Sequence, residues 1–337
     1  MPRPVRVLEA GPAIPLDRLV ADGTPTVIRG AVRDWPLVQA GLAGTDAAIA
    51  YLRGFDAGRR VVCFTGPAAI GGRFFYDAAL AGFNFEAARR DLGACLDTIA
   101  AALDDADAPS HYIGSTDLDT HLPGLGAANP LDLADAAFGA APLVSIWLGT
   151  RTVAATHYDM SNNLACCAVG RRRFTLFPPD QVANLYPGPL EPTPGGQVVS
   201  MVDLRAPDLD RYPRFAAALE QAQVAELEPG DVLFYPALWW HNVEALAPFN
   251  AMINYWWNPS PAFMDSPMVT LLHALLSLRD RPAAEKQAWR AMFDHYVFGD
   301  ADAAAAHLPA AAQGPLAPLD ERRARLLRAD VLRRINR

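Results

Sequence analysis

Cysteine is scarce in this chain: 337 residues hold four, at Cys63, Cys95, Cys166 and Cys167, and no two are spaced CxxC. That argues against a structural zinc site and against a disulfide framework. Cys166 and Cys167 are neighbours, so on a strand they point to opposite faces and read as reduced core residues. Positive charge is also short, with 29 Lys and Arg against 37 Asp and Glu and a formal net charge of −8. An acidic chain gains nothing from counterion release on DNA or RNA, so nucleic acid is not an expected partner. The one basic run, Arg171-Arg172-Arg173, is too short to change this. Long uncharged apolar runs are missing, and the N-terminal stretch MPRPVRVLEAGPAIPL holds no apolar core of signal-peptide length. The expectation is a cytoplasmic protein with no membrane span. Low complexity is absent too: hydrophobic residues make up 51% and charged residues 20%, which is the balance of a folded core and not of a disordered chain.

What is present changes character along the chain. A short helix is expected at Leu16–Val20 and a strand at Thr26–Arg29. Residues 37–56 read as helical, Arg60–Thr65 as a strand, and Arg73–Tyr76 as a strand after the Gly71-Gly72 turn. Phe85–Leu103 carries helical periodicity, and Ser110–Gly114 reads as a strand. From Leu143 onward short β-rich runs follow one another at 143–148, 152–158, 163–169, 172–177, 197–202, 224–227, 231–235, 241–245 and 249–257, separated by Gly, Pro and Asp turns. Many short strands at such spacing predict an all-β barrel or sandwich. The pattern stops at Trp257-Asn258-Pro259. Residues 265–297 are helical in pattern, 303–318 is an Ala/Pro linker candidate, and Asp320–Asn336 is a basic amphipathic helix. The domain expectation is therefore a mainly β catalytic domain at 1–259, with its barrel at about 143–259 and flanking N-terminal α/β elements, followed by a helical region at 260–337.

Within the β-rich half, Thr156-His157-Tyr158-Asp159 places two metal-binding side chains two residues apart. On a strand they share one face and reach one ion. A third ligand arrives 84 residues later: His241 follows the turn-and-strand segment Glu228-Pro-Gly-Asp-Val-Leu-Phe-Tyr-Pro236. Two imidazoles and one carboxylate on one face of an octahedron leave three positions open, the arrangement of non-haem Fe(II) oxygenases. Alone, an HxD or a histidine after two tryptophans is usually structural. The pairing of the two segments is what points to a metal site.

The segments around these residues resemble the cupin-like JmjC oxygenases, in particular their asparaginyl-hydroxylase branch. The resemblance is carried by Pro25–Pro36, by Phe74-Phe-Tyr-Asp77 with Phe83-Asn-Phe85, by THYDMSNNLACCAVGRRRFTLFPPD at Thr156–Asp180, by Gln197–Phe215, and by EPGDVLFYPALWWHNVEALAPFNAMINYWWNP at Glu228–Pro259. It implies a double-stranded β-helix of jelly-roll type, Fe(II) as cofactor and 2-oxoglutarate as co-substrate. It further implies that Arg172 stands where the family usually has a lysine anchoring the far carboxylate of 2-oxoglutarate. An arginine there is chemically apt, since it pairs with a carboxylate bidentately. Tyr112 matches a tyrosine bonding the same carboxylate, and Asn163 and Asn254 match asparagines of the co-substrate pocket. Ala154 departs from the family's threonine three residues before the first ligand. Phe75, Tyr76, Trp239 and Trp256 are expected to wall the pocket.

The function implied is hydroxylation of a protein or peptide side chain. The alternatives are hydroxylation of a small molecule, and a non-redox metal-binding cupin, against which Arg172 and Tyr112 speak. The apolar faces of Met268–Leu278 and Leu326–Leu332 must be buried against the barrel or a second subunit, and the resemblance implies a homodimer through the C-terminal helices.

Overall fold

A computed structural model describes residues 2–105, 107–134, 138 and 141–336. Two compact units emerge, one up to Pro259 and one from Ser260.

The β-branched and aromatic runs of the second half form eight antiparallel strands that alternate between two sheets. Leu143–Gly149, Asn162–Val169, Val232–Tyr235 and Asn250–Trp257 pair in one sheet, while Val153–Tyr158, Arg172–Phe177, Gln223–Leu227 and Trp240–Ala245 pair in the other. Successive strands cross to the opposite sheet at every step but one, Arg172–Phe177 to Gln223–Leu227, which pair antiparallel within one sheet; this is the winding of a double-stranded β-helix. Side-chain alternation then sorts the residues. Phe174, Leu176, Ala165, Cys167, Leu233 and Tyr235 fill the space between the sheets. Cys166, Leu164, Val232 and Phe234 face outward, into a second core built with the N-terminal helices. Cys166 and Cys167 thus fall on opposite faces, both buried and free.

One sheet continues past the barrel. Ser110–Asp117 pairs with Leu143–Gly149, Arg60–Gly66 pairs with Ser110–Asp117, and Glu86–Asp91 forms the outer edge. On its other side Thr26–Arg29 pairs with Val232–Tyr235. The turn leading into Val232–Tyr235 is held by Asp231. Its carboxylate accepts from the backbone N–H groups of Gly30 at 2.8 Å and Glu228 at 2.9 Å, and from Arg29 Nη1 at 2.5 Å. Gly230 has φ +100°, and a Cβ there would lie 2.9 Å from Arg33 Cα, so both the turn and the close approach require glycine.

Four expectations need correction. Helical periodicity over Phe85–Leu103 holds only for the helix Leu92–Ala101; Glu86–Asp91 is a strand because it finds six register partners on Arg60–Gly66. Residues 37–56 form two helices, Pro36–Ala43 and Thr45–Arg53, broken at Gly44 with φ 140°. The 197–202 run is not a strand. It crosses the barrel mouth and makes only single bridges, His157 to Val199 and Pro187 to Ser200. The Ala/Pro linker at 303–318 is instead folded into short helical turns, with Ala304, Ala305 and Ala317 buried. No helix among the described residues is long and apolar enough to cross a membrane.

Candidate metal centre

His157 is next to last in Val153–Tyr158 and His241 is second in Trp240–Ala245, the strand hydrogen-bonded to it, and the two are direct register partners. Their rings lie 4.2 Å apart by centroid. Asp159 follows two residues after His157, and its Oδ2 lies 3.6 Å from His241 Nε2. One potential ligand atom from each of the three residues lies within 4.8 Å of the others. Both imidazoles are oriented alike: His157 Nδ1 contacts the carbonyl of Ala155 at 2.8 Å, and His241 Nδ1 contacts that of Trp239 at 2.9 Å. A carbonyl can only accept, so each Nδ1 carries the proton and each Nε2 keeps its lone pair for a metal. Burial, and then the neighbouring His157, push the His241 pKa down to about 4, which keeps it in the neutral ligand form at pH 7. The donor set therefore fits a divalent metal with open positions.

A bulge positions the approach to this centre. Val243 pairs with Ala154 and His241 with His157, so two steps on one strand face three on the other. Asn242 Nδ2 donates to the Ala154 carbonyl at 3.2 Å across this irregularity. The extra residue brings Ala154 onto the inner face with His157, and both line the cavity. Where a threonine hydroxyl would stand there is only a methyl group, with Thr152 also lining the wall.

The cavity beside the triad has a volume of about 380 Å³, within the usual range of small-molecule sites. Arg172 lies in its wall, only 3% exposed, and forms no ion pair with any described residue. Its Nε is buried without a hydrogen-bond partner. Its charge acts on the phenol of Tyr112, which also lines the cavity and whose pKa burial raises. The flanking arginines differ: Arg171 and Arg173 are much more exposed and paired with Glu228 and Glu226. Alternation along the strand thus turns one arginine of the three inward. Isolating a cation from water costs several kcal/mol, so Arg172 in this place calls for an anionic ligand.

Asn254 lines the cavity and donates to Asn163 Oδ1 at 2.7 Å, and Asn163 donates on to Asp159 Oδ2 at 3.4 Å. Asn163 itself has 0% exposure, so it stands behind the cavity and orients Asp159. Among the expected wall residues, Trp256 lines the cavity. Trp239 instead packs between the sheets with Phe174 and Leu176. Phe75 and Tyr76 form a separate cluster with Ala155 and Val199, and the Tyr76 hydroxyl donates to the Pro192 carbonyl at 2.8 Å, tying down the mouth-crossing loop. The neighbours Phe74 and Phe85 line the cavity in their place, with Phe64, Trp147 and Tyr235. Tyr235 was within reach of sequence reasoning: it sits at the inward parity of the strand before His241.

A family model for the cupin-like domain matches residues 13–263 of this chain, three quarters of its length. This chain is a member of the cupin-like, JmjC-type family. Relatives include the lysine-specific demethylase JMJ31 of Arabidopsis thaliana, 33% identical over 36% of this chain and 23% of the relative. A zebrafish (Danio rerio) HSPB1-associated protein 1 homolog is 38% identical over 33% of this chain and 25% of its own length. The zebrafish tRNA wybutosine-synthesizing protein 5 is 37% identical over 32% of this chain and 30% of its own. The matches thus span less than a third of each relative. The family includes iron- and 2-oxoglutarate-dependent oxygenases, and the demethylase and the wybutosine-synthesizing protein are enzymes by name.

Proposed function

We propose that this chain is an Fe(II)- and 2-oxoglutarate-dependent dioxygenase that hydroxylates a protein or peptide side chain. The observation that carries the reading is Arg172: a buried, unneutralised cation in the same cavity as a His-His-Asp facial set. A cupin that only binds metal, or isomerises a neutral sugar, has no use for it.

His157, Asp159 and His241 would hold the iron through Nε2, a carboxylate oxygen and Nε2. When bound, iron with a 2-oxo acid supplies the O₂-dependent oxidation of a substrate C–H bond. Arg172 would bind the distal carboxylate of 2-oxoglutarate, with Tyr112 beside it. Asn163 holds the Asp159 carboxylate in orientation, and Asn254 holds Asn163. The two Nδ1–H to carbonyl bonds fix the imidazoles, and Phe64, Phe74, Phe85 and Trp256 keep water from the cavity wall. Purified protein given Fe(II), 2-oxoglutarate and O₂ is expected to form succinate slowly without any substrate, detected by mass spectrometry. No succinate, with no visible absorption from an iron–2-oxoglutarate complex under argon, rejects the reading.

We also propose that the helical unit joins two copies of the chain. The helix Pro267–Leu278 has no buried residue, and Leu276 is 79% exposed, with Val269 at 61%. Leaving such a face in water forgoes about 1.5–3 kcal/mol per large side chain. The full chain is expected to scatter light as a dimer, and the Leu272→Glu, Leu276→Glu double variant as a monomer. A monomeric wild type at micromolar concentration counts against this interface.

A further inference from the structure

Next to the metal triad the extended sheet presents a row of aromatic rings, of which only Tyr112 has a place beside the co-substrate in the reading above. Phe64, Tyr112, Trp147 and Trp256 come from four adjacent strands, one ring per strand. Their centroids follow at 6.3, 5.7 and 5.7 Å. Phe85 and Phe74 close one end, with Phe64 to Phe85 at 5.4 Å and Phe74 to Phe85 at 5.3 Å. All four rings of the row stay partly uncovered although they line a cavity. A glycine lets them lie together: a Cβ on Gly114 would sit 2.8 Å from Phe64 Cε2 and 3.6 Å from Trp147 Cζ3. The result is an aromatic floor of partly uncovered rings, Tyr112 and Trp147 stacked and Trp147 and Trp256 edge to face, leading outward from the triad to Val62.

The charges around this floor are few. Among the described residues lining the cavity, only Asp159 and Arg172 carry a formal charge at neutral pH. In the reading proposed above, Asp159 serves a divalent metal and Arg172 serves a dianionic co-substrate. The positive charges of metal and arginine then balance the negative charges of Asp159 and the dianion, and the loaded site is neutral before substrate arrives. A charged substrate group entering it would lose its hydration and find no counter-charge. The open rings would attract a cation only weakly against that loss. Arg89, the cross-strand partner of Val62 at the outer edge, would repel it.

We propose that this floor is the substrate platform and that it takes a flat, uncharged apolar group, with charged side chains such as lysine rejected. The inference rests on the oxygenase reading and narrows its substrate class. The test uses the full chain loaded with Zn(II), a redox-inert stand-in, and 2-oxoglutarate. Benzyl alcohol, benzoate and benzylammonium present one ring with three charges, and ligand-observed NMR titration reads their binding. Benzyl alcohol is expected to bind about tenfold or more tighter than either ion. Trp147→Ala should weaken it at least about fivefold by removing a stacking face. Ser115 is exposed and lines the cavity, so Ser115→Asp tests the charge argument without disturbing the core; it should raise benzylammonium affinity about tenfold. Tightest binding of either ion by the wild type, or benzyl alcohol binding indifferent to Trp147→Ala together with no gain in Ser115→Asp, overturns the platform. Calorimetry of 2-oxoglutarate on the same sample separates the two readings: if the co-substrate does not bind, the oxygenase reading falls first and the charge argument goes with it.

Discussion

Asp159→Ala is expected to remove metal binding almost entirely while leaving the metal-free fold intact. Asp159 is the one anionic ligand in the triad; the others are neutral imidazoles, His241 being held neutral by burial. Without the carboxylate, a divalent ion would sit against two neutral donors in a half-buried site. The loss is on the order of 10³-fold in affinity, about 4 kcal/mol, comparable to removing one partner from a buried charge pair. The metal-free protein should behave otherwise. Among the described residues Asp159 has no cation within ion-pair reach except an imidazole that stays neutral, and its only side-chain hydrogen bond there is a 3.4 Å contact from Asn163. Its removal should change metal-free stability by no more than about 1 kcal/mol. Melting curves with and without Co(II) or anaerobic Fe(II) read both effects. The wild type should show a metal-dependent rise in Tm and the variant none, with equal baselines. An undiminished rise in the variant would place the metal elsewhere.

The parts of this arrangement that could be read in the sequence are those set by local periodicity. His157 and Asp159 share a face because they are two apart near a strand end. The Glu228–Asp231 turn announces the strand that leads to His241. Cys166 and Cys167 split between two cores for the same reason. What could not be read depends on partners distant in the chain. The bulge that brings Ala154 inward with His157 exists only because Val243 and His241 lie opposite. Phe74 rather than Phe75 faces the cavity because its short strand pairs with Val153 and Ala154, which sets the parity. Glu86–Asp91, with its alanines and arginines, has the composition of a helix and becomes a strand through pairing with Arg60–Gly66. The aromatic floor is the extreme case: its four rings span nearly two hundred residues of sequence, and only the strand order puts them side by side.

Arg172 yields the other large effect, and its two consequences have opposite signs. Arg172→Met keeps much of the side-chain volume and removes the charge. Co-substrate binding should fall roughly 10²–10³-fold, about 3–4 kcal/mol, because a desolvated carboxylate would lose its only cationic partner in the cavity wall. Metal affinity should stay within a few-fold, since Arg172 is not among the potential ligands. The metal-free, anion-free protein should instead become more stable. In that state Arg172 is a buried cation with no ion pair among the described residues and an unbonded Nε, and an apolar replacement of similar shape relieves the cost, by about 1–4 kcal/mol where such exchanges have favoured the apolar side chain. Arg172→Lys separates charge from geometry. The cation remains, but a point charge replaces a planar fork, so about a tenfold loss of 2-oxoglutarate affinity is expected, less than for methionine. Calorimetry of 2-oxoglutarate on Zn(II)-loaded protein gives the affinities, and thermal unfolding of the metal-free proteins gives the stabilities. A methionine variant that binds 2-oxoglutarate as tightly as wild type would take Arg172 out of the site. One that loses binding and also unfolds more easily would mean that Arg172 is a structural element of the barrel and not an anchor kept for an incoming anion.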